Sequence, residues 1–88
     1  MALDMDNQFF SSEQGARCRK LFSAVVLAVL DDAVKEQRER GTGVDSIASW
    51  ARSRDGKLVL SSAGIDPNER TVAGMIAFVE RGQRAAAA

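Results

Sequence analysis

Few side chains in this sequence are equipped for chemistry. It has no histidine, no tyrosine and one cysteine. Without histidine, neither a Ser–His–Asp triad nor a Cys–His pair can be built. A single thiol cannot supply the soft ligands of a zinc site. No serine is followed three residues later by lysine, which removes the common Ser–Lys nucleophile. Gly41-Thr42-Gly43 lacks the Gly-Lys-Ser/Thr ending of a phosphate-cradling loop. Asp31 and Asp32 are adjacent on an expected helix, so their carboxylates diverge instead of converging on a hard cation. Acid–base work by two carboxylates would need a concave pocket holding a pair of them, and the spacing singles out no pair. The sequence therefore points away from an enzyme, and no cofactor, metal or small-molecule substrate is expected.

Three features have both a functional and a plain reading. Cys18 stands among Arg17, Arg19 and Lys20, cations that would lower its pKa. It also shares a helical face with Leu21, Phe22 and Val25, and the favoured reading is a small core residue. The cluster Arg17, Arg19, Lys20 and the cluster Arg52, Arg54, Lys57 could each contact phosphate. The favoured reading is solvated surface, with Asp55 partly neutralising the second cluster. Trp50 could be a binding anchor, but a core residue covering the first helix is the simpler expectation.

The elements that would position these residues follow from periodicity. Residues 1–10 read as a flexible arm whose Phe9 and Phe10 fold back on the core. Ser11 and Ser12 are good N-caps for a helix over residues 13–40. Its apolar positions step by three and four through Cys18, Leu21, Phe22, Val25, Val29 and Ala33. Val26, Leu27 and Leu30 widen that stripe until the middle is apolar on nearly every side. Asp31 with Lys35 and Glu36 with Arg40 are favourable i,i+4 pairs, and Gly41 is the natural stop. At 1.5 Å per residue this helix is about 42 Å long. A compact chain of 88 residues has a radius of gyration near 12 Å, so one end must project, kink or be covered by another subunit.

A second helix opens at Thr42-Gly-Val-Asp45, with Val44, Ile47, Ala48 and Ala51 on one face. A break follows at Ser53-Arg-Asp-Gly56, then a short helix over 57–63 closed by Gly64. Asp66 as N-cap, Pro67 at the first helical position and Glu69 completing a capping box predict a fourth helix ending near Gly82. Residues 83–88 read as a disordered tail, leaving 11–82 as one helical domain. The expected fold is all-α: a small bundle of about four helices, one long and N-terminal, three shorter.

Val72-Ala-Gly-Met-Ile-Ala-Phe-Val79 has no polar side chain. One face satisfies a monomer core. The other carries Ala73, Gly74, Ala77 and Phe78, which with Val26 and Leu30 of the first helix form the candidate surface for a protein partner or a homodimer. The alternative is a helix-turn-helix over residues 52–71, with Arg52, Arg54, Lys57, Asn68 and Arg70 as candidate nucleic-acid contacts. Its second helix offers polar side chains only in its first turn, and its turn is about two residues too long.

Composition narrows the remainder. Twelve basic and twelve acidic residues balance, so no overall field favours nucleic acid. Near-zero net charge suits a protein that associates. The longest apolar run, Leu21 to Leu30, is half of a membrane span, roughly 20 residues. With no basic leader and one thiol, a cytoplasmic location is expected.

Trp50-Ala-Arg-Ser53-Arg-Asp55-Gly-Lys-Leu-Val59, followed by Ala63-Gly-Ile-Asp-Pro67, resembles a motif of small uncharacterised proteins from alphaproteobacteria and their phages. The resemblance implies a small accessory or regulatory protein of phage-like origin and no particular activity. In similar proteins an aromatic residue often follows the aspartate; here it is Gly56.

Overall fold

The computed structural model describes the backbone of residues 13–87 and the side chains of residues 13–82. Ser11, Ser12 and the expected arm with Phe9 and Phe10 lie outside the described residues. Four helices make up the fold: α1 (Gly15–Arg40), α2 (Gly43–Arg52), α3 (Arg54–Ser62) and α4 (Glu69–Ala87). This is the all-α bundle with one long leading helix that the periodicity predicts.

The helix ends have local causes. Gly41 takes φ 73° and donates its N–H to the Gln37 carbonyl at 3.0 Å, which closes α1. Gly43 then lets α2 turn back closely, because a Cβ there would lie 1.9 Å from the Ala33 carbonyl oxygen. Ser53 separates α2 from α3 and caps α3: its Oγ accepts from the Gly56 N–H at 3.0 Å. The expected break at 53–56 is therefore a single residue, and α3 starts three residues earlier than its apolar pattern indicates. Gly56 is buried where a Cβ would meet the Trp50 carbonyl oxygen at 1.8 Å, so no larger residue fits this packing. The end of α3 is a Schellman closure. The Gly64 N–H reaches the Ser61 carbonyl and the Ile65 N–H reaches the Leu60 carbonyl, with Gly64 at φ 83°.

Two expectations about α4 are corrected. Its N-cap is Asn68, whose Oδ1 accepts from the Thr71 N–H at 2.9 Å. The Asp66 backbone carbonyl instead accepts from the Thr71 hydroxyl and the Asn68 N–H. Glu69 makes no capping box; it turns to Arg52. Gly82 does not end the helix, which continues to Ala87. Alanine favours continuation, and Gly82 sits against Val34, with room for hydrogen only.

All four helices contribute to one core: Val26, Leu30, Ala33 and Val34 of α1, Ile47, Ala48 and Ala51 of α2, Leu60 of α3, and Val72, Met75 and Val79 of α4. Helices α2, α3 and α4 all pack on α1, and α3 and α4 both pack on α2. The core engages only the second half of α1, since no residue from 13 to 25 is buried. The molecule is accordingly long, 54 × 21 × 18 Å, with a radius of gyration of 15.5 Å. Within the single chain, the first half of α1 projects beyond the bundle.

Candidate functional site

Leu58 of α3 is the most exposed large apolar side chain of the described residues, and α1 carries three of the others. Leu21 is 63% exposed, Leu27 58% and Val25 39%. Cys18, Leu21, Val25 and Ala28, all exposed, recur at intervals of three, four and three. That is the seam spacing of a coiled coil. Leu27 lies on a different side of the helix. Cys18, read from the pattern as a core residue, is exposed, because the bundle ends before it. Arg17 pairs with Glu13 at 3.9 Å, both largely in water.

The candidate association surface is thereby redrawn. Val26 and Leu30 are core residues, 6% and 8% exposed, and cannot face a partner. The periodicity placed them on a continuous apolar stripe, but only tertiary packing decides which side of such a stripe is covered. Ala73 and Gly74 are exposed, Ala77 is half-buried and Phe78 is partly exposed. These four do share the outer face of α4, which the core leaves open.

The candidate nucleic-acid residues are dispersed in role. Arg52 is held by Glu69, Nη2 donating at 2.7 Å and Nε at 3.1 Å. The side-chain carbonyl of Asn68 is occupied by its cap. Arg54, Lys57 and Arg70 are exposed, with no salt bridge among the described residues. The acidic Glu69 sits beside Arg52 and lowers its own pKa by that hydrogen bond, with Lys57 adding a weaker attraction. The helices on either side of the turn, α3 and α4, pack on α1 and α2 and not on each other. A helix-turn-helix needs those two helices in contact.

A cleft between α1 and α2 was not legible in the sequence. It encloses about 170 Å³ and is lined by Val29, Asp32, Ala33, Glu36, Ser46, Ile47 and Trp50. Trp50 is half-buried on its wall, packed against the core. Glu36 is oriented by α2: the Thr42 hydroxyl donates to its Oε2 at 2.7 Å, and the Ser46 hydroxyl donates to the same oxygen. Those two bonds, Ser46 first, hold its carboxyl below the ordinary value. The expected Glu36–Arg40 and Asp31–Lys35 pairs do not close among the described residues, since Glu36 faces α2 instead. The cleft does bring two carboxylates together. Among the described residues no group of three or more Cys, Asp or Glu could hold a metal.

Residues 14–88 match a family model described as a family of unknown function, DUF6280. The chain belongs to this DUF6280 family. The match takes in all four helices, so the α1 seam, the outer face of α4 and the α1–α2 cleft all lie within the DUF6280 segment. No curated protein and no solved structure matches the chain. No described helix is long and apolar enough to cross a membrane.

Proposed function

We propose that this DUF6280 member is a non-enzymatic interaction protein that self-associates through the projecting half of α1 and acts on a macromolecular partner as a small accessory or regulatory factor. The phage-like origin implied by its Trp50–Pro67 motif fits such a role. The observation that carries the reading is the exposed seam of Leu21 and Val25 on a helix that outruns its own core. Single exposed leucines are ordinary; a seam at coiled-coil spacing on a helix with no covering layer among the described residues is not. The open face of α4, with Ala73, Gly74, Ala77 and Phe78, is the second surface available to a partner.

Magnitudes set the expected strength. Burying one leucine or valine side chain is worth about 1.5–3 kcal/mol. Leu21 is 63% exposed and Val25 39%, so about half of that burial remains to be gained, and the two residues from two copies give roughly 3–6 kcal/mol on that scale, against an association cost of about 4–15 kcal/mol. The dimer should therefore be concentration-dependent and not obligate.

Thermal unfolding tests this at several chain concentrations. Association with the folded state raises Tm as concentration rises. The wild-type Tm should climb with concentration, and that of Leu21→Glu should not. A wild-type Tm that stays flat over a hundredfold range would remove the self-association reading.

A further inference from the structure

We propose that the α1–α2 cleft is a receptor for one basic side chain, arginine foremost, presented by an extended segment of a partner protein. The inference concerns a different surface from the α1 seam and does not rest on self-association.

Size comes first. At about 170 Å³ the cleft is well below the roughly 300–1,000 Å³ typical of small-molecule sites. It is on the scale of one long side chain. Its lining is divided in a way that matches such a side chain. Val29, Ala33, Ile47 and Trp50 give an apolar wall, while Asp32 and Glu36 give two carboxylates and no lining residue is a cation. Arginine and lysine bury an aliphatic stem and keep the charged head among polar groups. An indole beside carboxylates favours the guanidinium, which stacks on aromatic rings and offers a planar fork of donors.

The carboxylates are free to accept. Thr42 and Ser46 both donate to Oε2 of Glu36, leaving Oε1 with no side-chain donor among the described residues. Neither Asp32 nor Glu36 has a salt-bridge partner among them. The hydroxyls fix Glu36 from α2 while Asp32 sits one turn earlier on α1. Glu36 is thus oriented before any ligand arrives, which reduces the cost of binding.

Trp50 is the sole tryptophan of a chain without tyrosine, so its emission reports on the cleft directly. The test is a titration of the full chain with the peptide acetyl-Ala-Ala-Arg-Ala-Ala-amide, followed by Trp50 fluorescence. The control peptide replaces arginine by citrulline, which keeps the shape and removes the charge. The arginine peptide should produce a saturable shift with a Kd of about 1 mM or below, on the scale where binding is worth roughly 4 kcal/mol. Citrulline should weaken it at least tenfold. Asp32→Asn and Glu36→Gln should each weaken it several-fold, with folding verified by the melting curve. Glu39→Gln, an exposed acidic residue outside the cleft, should leave it unchanged, as should Leu21→Glu. Equal response to both peptides, an equal loss in Glu39→Gln, or no saturable response would overturn the proposal. The Leu21→Glu arm separates this outcome from that of the association reading.

Discussion

Arg52, on the last turn of α2, holds Glu69, on the first turn of α4, side-on: Nη2 reaches Oε1 at 2.7 Å and Nε reaches Oε2 at 3.1 Å. This bidentate contact ties two helices that are seventeen residues apart in sequence and fixes where α4 begins relative to α2. It also takes Arg52 out of any basic face that residues 52–70 might form.

Both partners face water, so the pair contributes little and is weakened by salt. Its pH dependence is nevertheless specific. The Arg52 hydrogen bond lowers the folded-state pKa of Glu69. A carboxylate lowered on folding contributes stability above its unfolded value of about 4.3, and that contribution is lost as pH falls through the lower folded value. Arg52→Met should therefore be slightly less stable than wild type at pH 7. The gap should close as pH falls from about 5 towards 3, followed by urea unfolding at each pH. A gap that is constant with pH would show that the pair is not formed in solution.

The start of α4 gives a sharper comparison. Asn68 supplies the cap and Asp66 does not. Asn68→Ala should cost about 1 kcal/mol, while Asp66→Ala should cost clearly less. Denaturant midpoints of the two variants decide it, and the reverse order would place the cap at Asp66.

The glycines of α4 should respond in opposite directions. Gly74 is exposed, with nothing within 4 Å of a Cβ, so Gly74→Ala should stabilise the monomer by up to about 1 kcal/mol through helix propensity. At Gly82 a Cβ would lie 2.8 Å and 3.2 Å from the two methyls of Val34. Val34 is buried and β-branched, with little freedom to turn. Crowding of this kind costs about 1–3 kcal/mol, which exceeds the propensity gain, so Gly82→Ala should lower Tm.

Val79 is fully buried. Val79→Asp should abolish cooperative folding, because an unpaired charge there costs several kcal/mol against a total of about 5–15 kcal/mol. Leu21→Glu should leave the helical circular dichroism and the melting of the monomer intact, since Leu21 has no place in the core. Loss of fold in Leu21→Glu would contradict the projecting position of this part of α1.

How much of this was legible in the sequence varies by element. The four helices, the Gly41 stop and the core faces of α2 and α4 followed from period and caps. The depth of α1 did not. Cys18, Leu21 and Val25 obey the same period as Val26 and Leu30, yet the first three are exposed and the last two buried. Periodicity records that a face is apolar, not what covers it. The start of α4 was misplaced because Asp66 and Asn68 are both competent N-caps, and Glu69, read as closing a box with Asp66, pairs with Arg52 instead. The cleft was invisible because Asp32, Glu36, Ser46 and Trp50 come from two helices, and the helical spacing of Asp32 and Glu36 carried no mark of the partner across the groove.

The central claim is that α1 outruns its core and presents an apolar seam to a second copy. Sedimentation equilibrium of the full chain measures this most directly, from micromolar to millimolar concentrations. The account predicts a mass rising from the 9.5 kDa of one chain to about twice that value, and a Leu21→Glu variant that remains at one chain throughout. A wild-type mass fixed at 9.5 kDa, or a dimer that Leu21→Glu leaves untouched, would contradict it.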